Sequence, residues 1–89
     1  MKANILVIDD EESMRDSCLQ TLSRKGYNVQ TAEDGQQGLE MLKRKSFDLI
    51  ILDLKMPGLN GMEVLKIIKQ DNPDIFVIVI TGHATIESE

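Results

Sequence analysis

Short runs that are apolar at nearly every position alternate with stretches of helical periodicity, and this alternation restricts the chain more than any other feature. Residues 4–8 (Asn-Ile-Leu-Val-Ile), 48–52 (Asp-Leu-Ile-Ile-Leu) and 75–80 (Ile-Phe-Val-Ile-Val-Ile) are not apolar at every second position, as half-exposed strands are. Strands of this kind are buried on both faces and occur in parallel sheets covered by helices on both sides. Between them, the pattern over 12–25 predicts a helix with Met14, Cys18 and Leu22 four apart on its inner face. Arg24 and Lys25 lie in its last turn and Gly26 stops it. Tyr27 to Thr31 reads as a second strand. Asp34 is placed to cap a helix over 35–44 facing inward through Leu39 and Leu42, with Met41 beside that stripe. Asn60 is placed to cap a third helix over 61–71, with Met62, Leu65 and Ile68 inward and Pro73 beyond its end. Residues 84–89 read as the start of a further helix. The expected order is βαβαβαβ plus a stub, in one domain over residues 1–89. The apolar edge of the fourth strand would then be open, as in a domain cut short at its C-terminal end.

Composition narrows the function classes. Ten Lys and Arg face 15 Asp and Glu, giving a net charge of −5, which argues against this segment gripping nucleic acid by itself. Tyr27, Phe47 and Phe76 are its three aromatics and offer no platform for stacking bases. The longest apolar run, Ile75 to Ile80, is far short of a membrane span. A single cysteine, Cys18, excludes a disulfide framework and a multi-cysteine zinc site. The expected compartment is the cytoplasm.

Polar residues sit where three of the strands end. The first strand runs into Asp9-Asp10-Glu11, the third into Asp53 and the fourth into Thr81-Gly82. Open parallel sheets bind ligands outside the carboxyl ends of their strands. Right-handed crossovers allow strands one and three to be neighbours with strand two outside strand one, which puts Asp9, Asp10 and Asp53 on adjacent strands. Carboxylates so close repel one another, and the usual remedies are a hard divalent cation or a raised pKa. Mg²⁺ suits such all-oxygen ligation. Beside it, Asp53 can act as a nucleophile toward a phosphoryl group. The Thr81 hydroxyl can donate to a phosphoryl oxygen, and Gly82 leaves room for a backbone N–H.

Each feature also has a plainer reading. Asp9-Asp10-Glu11-Glu12 serves as an acidic helix start, and Thr81 taken alone is an ordinary strand-end hydroxyl. Cys18, Met14 and Met62 read as core residues, and His83 as a loop surface residue. Lys43-Arg44-Lys45 is a solvated helix end. Pro57-Gly58 and Asn60-Gly61 are turn chemistry that also sets the loop beside Asp53. Joint placement at one rim is what favours a site.

Asp9-Asp10-Glu11, the run Ile51-Leu52-Asp53-Leu54-Lys55-Met56-Pro57-Gly58-Leu59-Asn60-Gly61 and Ile80-Thr81-Gly82-His83-Ala84 resemble the receiver domain of two-component response regulators over essentially the whole chain. The run Thr81 to Thr85 is similar to that of nitrogen-regulatory, enhancer-binding transcriptional activators. The resemblance implies a flavodoxin-like α/β fold of strand order 2-1-3-4 with helices on both faces, its final strand and helix missing. It implies that Asp53 is the phosphoacceptor for a sensor histidine kinase. Asp9, Asp10, Asp53 and the main-chain carbonyl of Lys55 would hold Mg²⁺, and Thr81 would be the switch hydroxyl. The protein would be a phosphoacceptor rather than an enzyme, with a DNA-binding output domain outside this chain. The family's active-site Lys lies on a later strand; Lys55 and Lys2 do not stand in its place.

Two other classes remain in view. A haloacid-dehalogenase-like phosphatase also uses a strand-end Asp with Mg²⁺, but needs an acid two residues on, where this chain has Lys55. A non-signalling interaction fragment, self-associating through the edge of strand four, follows from the open sheet. One of the residue sets Ile5/Val7 and Leu6/Ile8 would then be left partly bare.

Overall fold

The computed structural model describes residues 2–55, 60–81 and 84–86, with side chains for 2–55 and 60–80. Its elements are β1 (Asn4–Ile8), α1 (Glu12–Arg24), β2 (Asn28–Ala32), α2 (Gly35–Arg44), β3 (Leu49–Asp53), α3 (Gly61–Asp71), β4 (Phe76–Thr81) and β5 (Ala84–Ile86). They form one sheet of order β2-β1-β3-β4-β5. β1 to β4 are parallel, as the nearly unbroken apolar runs of β1, β3 and β4 lead one to expect; β2, the edge strand, is more polar and only partly buried. The expected order 2-1-3-4 is therefore the one found.

Local signals act as expected at the helix ends. The Asp34 carboxylate accepts from the Gln37 N–H at 2.8 Å, and the Asn60 side-chain oxygen from the Met62 N–H at 2.9 Å. Each satisfies an amide that the first helical turn leaves without a partner. Gly26 follows α1 with φ at +94°, a conformation other residues adopt only with strain.

Parallel partners share a face, so the register sorts the strands into two sides. Leu6, Ile8, Ala32, Ile50 and Leu52 face α2 and α3, where Val64 and Ile68 complete the buried core. Leu39, Met41, Leu42 and Leu65 pack against it. Ile5 and Val7 face the other side, toward α1, and are buried as fully as Leu6 and Ile8.

Three expectations need correction. Residues 84–86 are not the start of a helix but a short strand, antiparallel on the outer edge of β4, pairing Val79 with Ile86, Ile80 with Thr85 and Thr81 with Ala84. The edge of β4 offers unpaired backbone groups, and the β-branched Thr85 and Ile86 suit a strand that takes them up. The bare part of the sheet is on neither residue set of β1, because α1 lies over β1 and β2. It falls on β4, where Phe76 is 76% and Ile78 43% exposed. Met62 is not a core residue but 52% exposed. At about 100° per residue, two three-residue steps turn about 120° around the helix, so Met62 and Ile68 cannot share a face. The inward row of α3 is Gly61, Val64 and Ile68. Met14, Cys18 and Leu22 do line the inner side of α1, half-buried rather than sealed.

Candidate functional site

Ile8 pairs with Leu52, so the residues that follow, Asp9 and Asp53, leave the sheet side by side at its carboxyl rim. Asp53 in turn pairs with Ile80, which brings the backbone of Thr81 to the same rim one strand over. Asp9, Asp10 and Asp53 each present a carboxylate oxygen within 4.8 Å of the others. Asp9 is 3% and Asp53 6% exposed; Asp10 is open to solvent.

Backbone amides hold the two buried acids. Asp9 Oδ1 accepts from the Glu11 N–H at 2.9 Å, which turns the chain from β1 into α1. Asp53 Oδ1 accepts from the Lys55 N–H at 3.0 Å, which turns the chain out of β3 and leaves Oδ2 for other partners. The Asp9 N–H is fixed on the Ala32 carbonyl, and the Leu54 N–H on the Ile80 carbonyl. Gly61 lets the start of α3 close on this turn, since a Cβ there would lie 2.6 Å from Leu54 Cα.

The electrostatics of the cluster are those of uncompensated negative charge. Burial pushes the Asp9 carboxyl up from 3.8 to about 6, against the lowering effect of the Glu11 N–H. The charge of Asp53, a hydrogen bond shared with Asp53, and the charge of Asp10 push the same way as burial. The Cys18 thiol is also raised, by burial first and then by the Asp9 charge, which makes it an inert residue of the α1 face. Three carboxylates in this disposition fit a hard, oxygen-seeking divalent cation and suit no softer metal.

The sequence-derived site is thus assembled for Asp9, Asp10 and Asp53, and Lys55 adjoins it. Gly82 and the turn residues 56–59, with His83, lie outside the described residues, and of Thr81 only the backbone is placed. Arg15 carries no motif signal in the sequence, yet its guanidinium reaches this rim and donates from Nη1 to the Asp9 carbonyl oxygen at 2.9 Å. A cation one turn into the helix that follows an acidic strand end is the pattern that marks it.

Among the described residues, no helix is long and apolar enough to cross a membrane. Residues 5–89 match the family described as the response regulator receiver domain. The response regulator MprA of Mycobacterium ulcerans is 36% identical over 86 residues, covering 97% of this chain and 37% of that protein. The chain thus spans little more than a third of the length of the curated relatives it matches. A receiver domain protein (CheY-like) from Methanospirillum hungatei superposes with a TM-score of 0.90 at 31% identity, over 97% of this chain and 69% of that one. The response regulator TrrA of Thermotoga maritima, solved in complex with Mg²⁺-BeF, gives 0.86 at 38% identity, over 94% of this chain and 72% of that one. In its complex with the histidine kinase ThkA the TM-score is 0.87 at 37% identity, over all of this chain and 76% of that one. With its sheet order, its acidic rim and these matches taken together, the chain belongs to the receiver domain family of two-component response regulators.

Proposed function

We propose that the chain is a phosphorylation-dependent receiver in which Asp53 accepts a phosphoryl group from the phosphohistidine of a sensor kinase. The observation that carries this reading is the convergence of Asp9, Asp10 and Asp53 within 4.8 Å at one rim of the sheet. In the transfer, an Asp53 carboxylate oxygen attacks phosphorus. An O–P bond forms as the P–N bond breaks, and the kinase imidazole leaves with the bonding electrons and takes up a proton. Asp53 Oδ2 is the proposed attacking atom, with the carboxylate oriented through Oδ1 by the Lys55 N–H.

Mg²⁺ would be held by Asp10, Asp53 and the main-chain carbonyl of Lys55, with Asp9 binding directly or through water. When bound, it neutralises charge on the oxygens of the transferred group. Thr81 is proposed as the switch hydroxyl and the backbone N–H of Gly82 as a phosphate donor. The complexes recorded for TrrA, with Mg²⁺-BeF and with ThkA, support these assignments by likeness.

The chain so read is a phosphoacceptor that assists its own chemistry and does not turn over a separate substrate. It would act in the cytoplasm, with a DNA-binding output domain. Its net charge of −5 disfavours nucleic-acid binding by this segment itself. Self-association is assigned to the exposed face of β4 at Phe76 and Ile78, and sedimentation tests it.

Incubation with a small acyl-phosphate donor and Mg²⁺, read by intact-protein mass, tests the assignment. The wild type is expected to gain one phosphoryl group and Asp53→Asn none. An undiminished adduct in the variant would refute Asp53 as acceptor, and steady hydrolysis of a phosphate ester would favour the phosphatase reading instead.

A further inference from the structure

The segment that carries Asp9 and Asp10 is a three-residue crossing from strand to helix, and its backbone decides where Asp10 points. Three hydrogen bonds fix this crossing: Asp9 N–H to the Ala32 carbonyl (3.1 Å), Glu11 N–H to Asp9 Oδ1 (2.9 Å), and Arg15 Nη1 to the Asp9 carbonyl (2.9 Å). The first two hold the Asp9 amide and carboxylate. Among the described residues, only the third acts on the Asp9 carbonyl, and therefore on the peptide plane that leads into Asp10. Arg15 is itself anchored, half-buried and with its own N–H on the Glu11 carbonyl at 3.1 Å.

We propose that Arg15 is a positioning residue of the acidic site: by pinning the Asp9 carbonyl it fixes the Asp9–Asp10 peptide and aims Asp10 at the position shared with Asp9 and Asp53. The inference rests on the reading that these acids hold a divalent cation. Its consequence runs against simple charge accounting. A guanidinium close to a cation site repels the cation, so removal of its charge alone would tighten metal binding. Removal of an orienting contact loosens it, by about 10- to 100-fold for groups that position metal ligands. The sign of the change separates the two roles.

The test is titration of the protein with Mg²⁺ alone, by calorimetry, alongside thermal melts in EDTA. Arg15→Met keeps an unbranched apolar stem but has neither charge nor donor. It is expected to weaken Mg²⁺ about tenfold, the low end of that range, at a temperature where the metal-free variant is fully folded. Arg15→Lys keeps a donor able to reach the carbonyl and is expected to recover most of the affinity. Unchanged or tighter binding by Arg15→Met, or no recovery by Arg15→Lys, overturns the proposal. Should Arg15→Met not fold, Arg15→Gln, too short to span to the Asp9 carbonyl, takes its place with the same expectation. Failure of both to fold would make Arg15 a folding residue and overturn the proposal as well. A wild-type protein that binds no Mg²⁺ overturns the metal reading itself, whereas wild-type binding with unaltered binding by the variant overturns only the role of Arg15.

Discussion

Asp9→Asn should make the metal-free protein more stable and the metal-bound protein less so. The amide is isosteric with the carboxyl, and its oxygen can still accept from the Glu11 N–H, so the turn into α1 is kept. What disappears is a buried charge with a second buried carboxylate, Asp53, within 4.8 Å. Two unit charges at that distance interact by about 3 kcal/mol at an effective dielectric constant of about 20. Water at the exposed Asp10 side screens this, leaving an expected gain of about 1–2 kcal/mol at pH 7.5. For a domain of this size that is a rise of about 5–15 °C in Tm. The pH dependence follows from the raised Asp9 carboxyl, at about 6 when folded against 3.8. Between these values the folded state keeps a proton that the unfolded chain has released, so wild-type stability from this group falls as pH rises through that window. Well below 3.8 the group is neutral in both states, and there the two proteins should melt together. From pH 4 to 6 the gap should open, and above it should stay constant. Mg²⁺ at a hundred times its Kd adds about 2.7 kcal/mol to the wild type and far less to the variant, so the order of Tm should invert. Circular dichroism melts in EDTA and in Mg²⁺ across this pH range decide the matter. An Asp9→Asn protein that is less stable than wild type in EDTA at pH 7.5, or a gap that does not vary with pH, refutes the account of the acidic rim.

Gly61→Ala should destabilise the protein by about 1–3 kcal/mol in urea titration, as overpacking does. The added Cβ would meet Leu54 Cα at 2.6 Å and the Leu54 carbonyl oxygen at 2.9 Å, both backbone atoms that cannot step aside. The better helix propensity of Ala, about 1 kcal/mol, does not offset this. Ile68→Ala, at a fully buried core position, should cost about 2–5 kcal/mol. Phe76→Ser, at a side chain 76% exposed, should change the urea midpoint by less than about 0.5 kcal/mol equivalent. A large loss on Phe76→Ser would mean that the α1 side of β4 is covered in solution.

Legibility in the sequence followed the range of the interactions. The strands β1, β3 and β4 were readable because burial on both faces leaves a local mark, an apolar residue at almost every position, whereas the edge strand β2 shows it only weakly. The caps at Asp34 and Asn60 were readable because they are satisfied within three residues. The acidic rim was readable at one remove: strand order follows from crossover handedness, and order plus register puts Asp9 beside Asp53. Two features of the fold escaped because something distant decides them. Residues 84–86 have no pattern that separates helix start from strand, and the edge of β4 settles the matter by offering a partner. The location of the bare face depends on which strands α1 lies over, and its own half-buried stripe does not say.

Arg15 shows the same rule at the site. As a residue of α1 it is one cation among several, and only the fold brings its guanidinium back to the carbonyl six residues earlier. The acids announce themselves because like charges gathered at a strand end are costly without a purpose. The group that orients them costs nothing to display on a helix surface, so it leaves no trace until the backbone it holds has been placed. Positioning residues of such rims are therefore to be sought among side chains that hydrogen-bond the carbonyls between ligands, not among residues that resemble ligands themselves.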